Sequence, residues 1–224
     1  MIVAKTGGAG PPTPMPPELA AVWDPLWQDV VFLHTKWNNF RTLHRDKDSV
    51  DLLNFGSDEY FGINQMVWAA DIEMAMARLT DPHQMGQYQN LTLGRLLLHI
   101  DPATPAGLHD KVKAMLDELA VLSKPTRDRR MKRLAHSDLD HRLGHSATLD
   151  PVTTKDIEDC LAKIQDIMNE VELAYLGKTT MYETTIEMAA DELLHHLREA
   201  REYQRQERIR LGLPADPEPP QAQV

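Results

Sequence analysis

Apolar residues through the middle of this chain recur at threes and fours, the period of a helix with one buried face. Over residues 18–44, Trp27, Val30, Val31, His34, Trp37 and Phe40 share such a face. Residues 49–55 read as a short helix or turn. Ser57-Asp-Glu-Tyr60 then reads as a capping box, with the serine hydroxyl able to accept a backbone N–H. It opens a long helix through Ile63, Met66, Val67, Ala70, Ile72, Met74 and Leu79. Thr80-Asp-Pro82 stops that helix, because proline disfavours the α conformation in the residue before it. A loop and a helix over about residues 91–99 follow, and Asp101-Pro-Ala-Thr-Pro105 breaks the chain again.

The next helix is expected over residues 106–122. Ser123 or Thr126 then caps a further one, with Pro125 near its first turn, running to about residue 138. Residues 139–151 read as a connection. Thr153 or Thr154 opens a helix through Ile157, Leu161, Ile164, Ile167, Met168, Val171 and Leu173, which Gly177 closes. A last helix spans about residues 184–211, ahead of Gly212 and Pro214. No stretch alternates as a strand, and no internal repeat stands out. The pattern predicts an all-α antiparallel helical bundle, with the methionine and tryptophan positions in its core.

The ends differ in composition. Residues 1–17 and 213–224 are rich in glycine, proline and polar residues, so both are expected to be disordered around a single helical domain over 18–212. Met15 stands just ahead of the ordered sequence and is one candidate for the true start. No apolar run is long enough for a bilayer, so no membrane is expected as a partner. The single cysteine, Cys160, cannot form an internal disulfide, which fits a reducing cytoplasm. It falls inside a helical pattern and is expected to be buried or half-buried.

Charge changes the picture in one place. The formal net charge is -10, which argues against a protein that coats nucleic acid with its whole surface. Yet Lys124, Arg127, Arg129, Arg130, Lys132 and Arg133 crowd into ten positions, with His136 close behind. Guanidinium forks match phosphate oxygens, and histidine moves protons near neutral pH. Arginine and histidine beside a phosphodiester suffice for metal-free RNA cleavage: histidine moves the 2′-hydroxyl proton and arginine stabilises the phosphoryl charge. The alternative is that the run is a solvated basic helix face.

Arg130-x5-His136, in the form Arg-x-Lys-x-x-Ala-His followed by Ser-Asp, resembles the active-site motif of HEPN-domain proteins, and within them the AbiU-like, abortive-infection branch. Leu52-Leu-Asn-Phe55, Ala77-Arg-Leu-Thr-Asp81 and Asn90-Leu-Thr-Leu-Gly-Arg-Leu-Leu97 are similar to that branch in order and wording. The resemblance implies a helical bundle that dimerises and brings two motifs into one cleft. It implies a metal-independent, cofactor-free endoribonuclease of toxin or phage-defence type, with RNA as substrate and an antitoxin or another defence protein as a possible partner. Arg130 and His136 would be the catalytic pair. Arg129, Lys132, Arg133 and Arg127 would hold RNA phosphates, and Asp138 would support the histidine. Met131 stands where such motifs commonly place a polar residue, so a non-catalytic RNA- or protein-binding module is the alternative, and a helical scaffold with a basic docking face a further one.

Other constellations rank lower. His136, His141 and His145 are spaced for a shared zinc ion, but Gly144 interrupts the helix they need and no cysteine helps, so no metal is expected. Arg78-Leu-Thr-Asp81 reads as a cap or ion pair that locks a turn, not as catalysis. Asp71 and Glu73 diverge on a helix, and His195-His196 reads as surface.

At about 100° per residue, Arg129 lies roughly 20° from His136 around an ideal helix and Arg130 about 120° away. A local helix distortion or a partner subunit must therefore bring Arg130 to His136. Separate alanine substitutions distinguish the two arginines. Cleavage of RNA should be abolished by Arg130→Ala; its loss in Arg129→Ala alone would reverse the assignment.

Overall fold

The computed structural model describes residues 4–6, 14–103, 105–134, 139–145, 149, 151–182 and 189–215. The chain is an all-α helical bundle. Its helices are α1 (Pro17–Leu43), α2 (Lys47–Thr80), α3 (Leu108–Leu122), α4 (Lys124–Arg129), α5 (Leu139–Arg142), α6 (Thr154–Leu176) and α7 (Ala189–Arg210). A 3₁₀ helix covers Leu93–Leu98 and a π-helical turn Arg130–Leu134. No helix among the described residues is long and apolar enough to cross a membrane. The chain divides into two compact units, residues 1–37 with 68–186, and residues 38–67 with 187–224.

The larger unit is built on α6. Thr153 caps it in both directions: its hydroxyl accepts the Asp156 N–H at 3.2 Å, and its own N–H donates to the Asp156 carboxylate at 2.8 Å. Two of the helix's orphan donors are thereby satisfied. Ile157, Cys160, Leu161, Ile164, Ile167, Met168, Val171 and Tyr175 form its buried face, against which α3 lies. Gly177 ends it in the left-handed conformation, φ 65°. Leu19, Val22, Trp23, Leu26, Val30, Leu33 and Trp37 of α1 are buried at the expected spacing. Cys160 is fully buried, and burial pushes its thiol up to about 12.

In the smaller unit, Leu43 of α1, Leu52 and Leu53 of α2, and Ala190 and Leu194 of α7 form a cluster, with Phe61, Leu193 and Leu197 packed on it. A Cβ at Gly56 would lie 3.0 Å from Leu197 Cδ2 and 3.1 Å from Phe61 Cε2, so a side chain there would need both neighbours to give by a few tenths of an ångström. Asn39 accepts the Ala190 N–H at 3.1 Å. The expected break at Ser57 is present as a non-helical residue inside α2, φ -176° and ψ 105°, and the Tyr60 N–H donates to its hydroxyl at 3.4 Å.

Several expectations are corrected. Met66, Met85, Met131 and Met181, expected in the core with the other methionines, are 68%, 49%, 55% and 40% exposed, and Ile63 and Val67 near Met66 on α2 are 50% and 57% exposed. After the break at Ser57, Phe61 turns inward, and Ile63 lies about 200° from it on the helix. Short ladders exist where no strand was expected. β1 (Ala4–Thr6), within the segment read as disordered, pairs antiparallel with β4 (Lys178–Thr180). β2 (Gln84–Met85) and β3 (Tyr88–Gln89) form a hairpin through Gly86, φ 59°. Ladders of two or three residues are too short to show a period-two pattern. The connection over 139–151 contains one turn of helix, α5.

His34 is the buried ionisable group of consequence in this core. It is 3% exposed and stacks on Tyr182 with ring centroids 5.2 Å apart. Its Nε2 has no hydrogen-bond partner among the described residues. Burial lowers its pKa to about 4, partly opposed by a bond to the Leu161 backbone. The folded protein therefore holds His34 neutral, while the unfolded chain takes up a proton below the ordinary value of 6.5. The stability this carries is complete above pH 6.5 and is lost as the pH falls to about 4. Between those limits the wild type should lose about 3 kcal/mol more than His34→Gln in urea unfolding.

Candidate functional site

The basic segment starts where α3 ends. Ser123, in αR conformation (φ -81°, ψ -2°), joins α3 to α4 without a capping bond from its side chain. Thr126 donates its hydroxyl proton to the Ser123 carbonyl at 2.8 Å, and Pro125 lies in the first turn, where its missing N–H costs nothing. Regular helix stops at Arg129. From Arg130 to Leu134 the backbone widens to a π turn, a distortion that is rare and often sits at functional sites. A π turn rotates by less per residue than an α-helix, so it does not by itself turn Arg130 toward His136, and the partner subunit stays the other way to close that gap.

The segment lies against the C-terminal half of α2. Arg129 Nε donates to Glu73 Oε2 at 2.7 Å, with side chains 24% and 8% exposed. Arg130 Nη1 donates to Asp81 Oδ2, with side chains 14% and 12% exposed. The two carboxylates are eight residues apart, roughly 12 Å along a helix, so the adjacent arginines diverge to reach them. Arg130 Nη2 faces the Met131 sulfur at 3.9 Å. Arg127 Nη2 donates to the Ala120 carbonyl at 2.6 Å, satisfying an orphan acceptor at the end of α3. Lys124 pairs with Asp128 at 2.6 Å on the same helix. Lys132 is partly exposed and has no acidic partner among the described residues.

This arrangement alters the electrostatics expected from the sequence. Of the described cations in the segment, Lys124, Arg129 and Arg130 are each matched by a carboxylate. The positive field is therefore weaker than the charge run suggests, and Arg129 and Arg130 are fixtures of the fold before they are anything else. Partners from α2 are the residues that sequence reasoning missed. Glu73 was read as a carboxylate diverging from Asp71, and the two do diverge: Asp71 pairs with Lys36 and lies 3.8 Å from Arg78. Asp81 was read as a cap or ion pair without a named partner. One signal was available. A carboxylate immediately after the last residue of α2 sits at the negative end of the helix dipole and needs a cation.

His136 and Asp138 lie outside the described residues, as does the side chain of Arg133. The histidine row proposed for zinc is described only at His145, which lies 4.0 Å from Asp140. Among the described residues, no group of three His, Cys, Asp or Glu side chains could hold a metal ion. His195 and His196 are exposed and lie near glutamates of their own helix.

The burial of these pairs makes a stability prediction. Removing one partner of a buried pair leaves the other charge uncompensated and typically costs 3–5 kcal/mol. Arg130→Ala should lower unfolding stability by about 3 kcal/mol, and Arg127→Ala by less than about 1 kcal/mol, in denaturant titrations. Loss of activity in Arg130→Ala is then uninformative until the variant is shown to be folded.

Comparison with known families adds one finding. The family model HEPN_AbiU2, described as AbiU2, matches residues 17–195, well over half of the chain. No curated protein and no solved structure matches.

Proposed function

We propose a function from one premise: the chain belongs to the AbiU2 family of HEPN proteins. On our reading it is a metal-independent endoribonuclease of abortive-infection type, acting as a homodimer. The observation that carries this reading is the Arg130-x5-His136 motif lying inside the family match over residues 17–195. His136 takes the 2′-hydroxyl proton of the substrate RNA, and the oxygen attacks the adjacent phosphorus. Arg130 stabilises the charge that builds on the phosphoryl oxygens. The P–O5′ bond breaks, the 5′-oxygen takes a proton from solvent, and a 2′,3′-cyclic phosphate remains. Lys132, with no acidic partner among the described residues, Arg133, Arg127 and the half-buried Arg129 provide phosphate contacts. Asp138 orients the histidine.

A second reading is favoured by a specific observation. Arg129 and Arg130 both engage carboxylates, and Met131 offers no strong hydrogen bond to ribose or histidine. A non-catalytic HEPN module that binds RNA or protein would look the same. Incubating the full chain with total cellular RNA in EDTA separates the two. The endoribonuclease should yield products ending in cyclic phosphate, and His136→Ala should slow the reaction by about 10²-fold or more. Intact RNA at every protein ratio, with salt-sensitive binding, would select the binding module.

A further inference from the structure

The two edges of the Arg130 guanidinium face different chemistry. The inner edge, through Nη1, is bonded to Asp81. Among the described residues its outer edge, through Nη2, meets a thioether, at 3.9 Å, on a Met131 that is 55% exposed. Sulfur is a weak acceptor, so a charged donor there is poorly satisfied and would gain by exchanging it for an anionic oxygen. Asp81 cannot be the group exchanged as readily. It is 12% exposed, follows directly on α2, and belongs to a pair whose rupture leaves two uncompensated charges.

We infer that Asp81 is a positioning residue that holds Arg130 from within, so that the Nη2 edge, covered by the movable Met131 side chain, is the contact for an RNA phosphate oxygen. The inference rests on Arg130 belonging to an RNA site, and it adds the direction from which RNA approaches. The chemistry demands arginine and not merely charge. A lysine at position 130 can still pair with Asp81, but its single ammonium cannot present a second planar edge at the same time.

The test is equilibrium binding of a labelled single-stranded RNA oligomer to the full chain in EDTA, over a range of salt concentrations, with cleavage followed separately. Arg130→Lys should unfold at the wild-type denaturant concentration. It should bind RNA about tenfold more weakly, with the slope of log K against log salt shallower by about 0.7, the loss of one phosphate contact. Asp81→Asn keeps an acceptor but loosens the anchor, and should weaken binding several-fold. Asp117→Asn, which changes the net charge equally at an exposed position on α3, should leave it within twofold. Wild-type binding by Arg130→Lys would overturn the inference. So would tighter binding by Asp81→Asn beyond that of Asp117→Asn, since the carboxylate would then compete with phosphate. Failure of the wild type to bind RNA would overturn it as well. RNA bound in this pattern but never cut would leave it standing while the endoribonuclease reading fails.

Discussion

Two arginine–carboxylate pairs tie the basic segment to α2: Arg129 with Glu73, and Arg130 with Asp81. They join a short helix that has little apolar surface of its own to a long one that is well packed. Among the described side chains of α4 and the π turn, Thr126 is buried and Met131 is largely exposed. Hydrophobic burial alone would hold such a segment weakly. The pairs supply direction as well as attachment, because each guanidinium donates a charge-assisted hydrogen bond to one carboxylate oxygen.

The same pairs set the terms on which the segment can act. A charge run read from sequence suggests freely available cations. In the fold, each arginine at the start of the π turn is half committed, and what remains for a ligand is an edge and not a whole side chain. That favours placement over strength: an arginine held by a buried carboxylate is fixed in position, which suits a group that must meet charge developing at one atom. On the proposed reading, Lys132 and Arg127, bonded to no carboxylate among the described residues, are the cations that attract a long polyanion.

Much of the fold was legible where the signal is local. Thr153 and Gly177 bracket α6 because capping and left-handed termination depend on a few adjacent residues. Ser57 marks the interruption in α2 for the same reason. What was not legible is long-range. Glu73 and Asp81 lie 56 and 49 positions from their arginines, and no periodicity connects them. Ile63, Met66 and Val67 show the reverse failure: their spacing is helical, but Phe61 determines which face turns inward.

The account depends on Asp81 and Arg130 being coupled in the folded chain, beyond each being near the other. A double-mutant cycle measures this directly. Unfolding free energies of the wild type, Asp81→Ala, Arg130→Ala and the double variant should show a coupling of about 2 kcal/mol or more, with the double variant no worse than either single one. Additive effects, with a coupling below about 0.5 kcal/mol, would contradict it, because the segment would then be held by something other than its ion pairs.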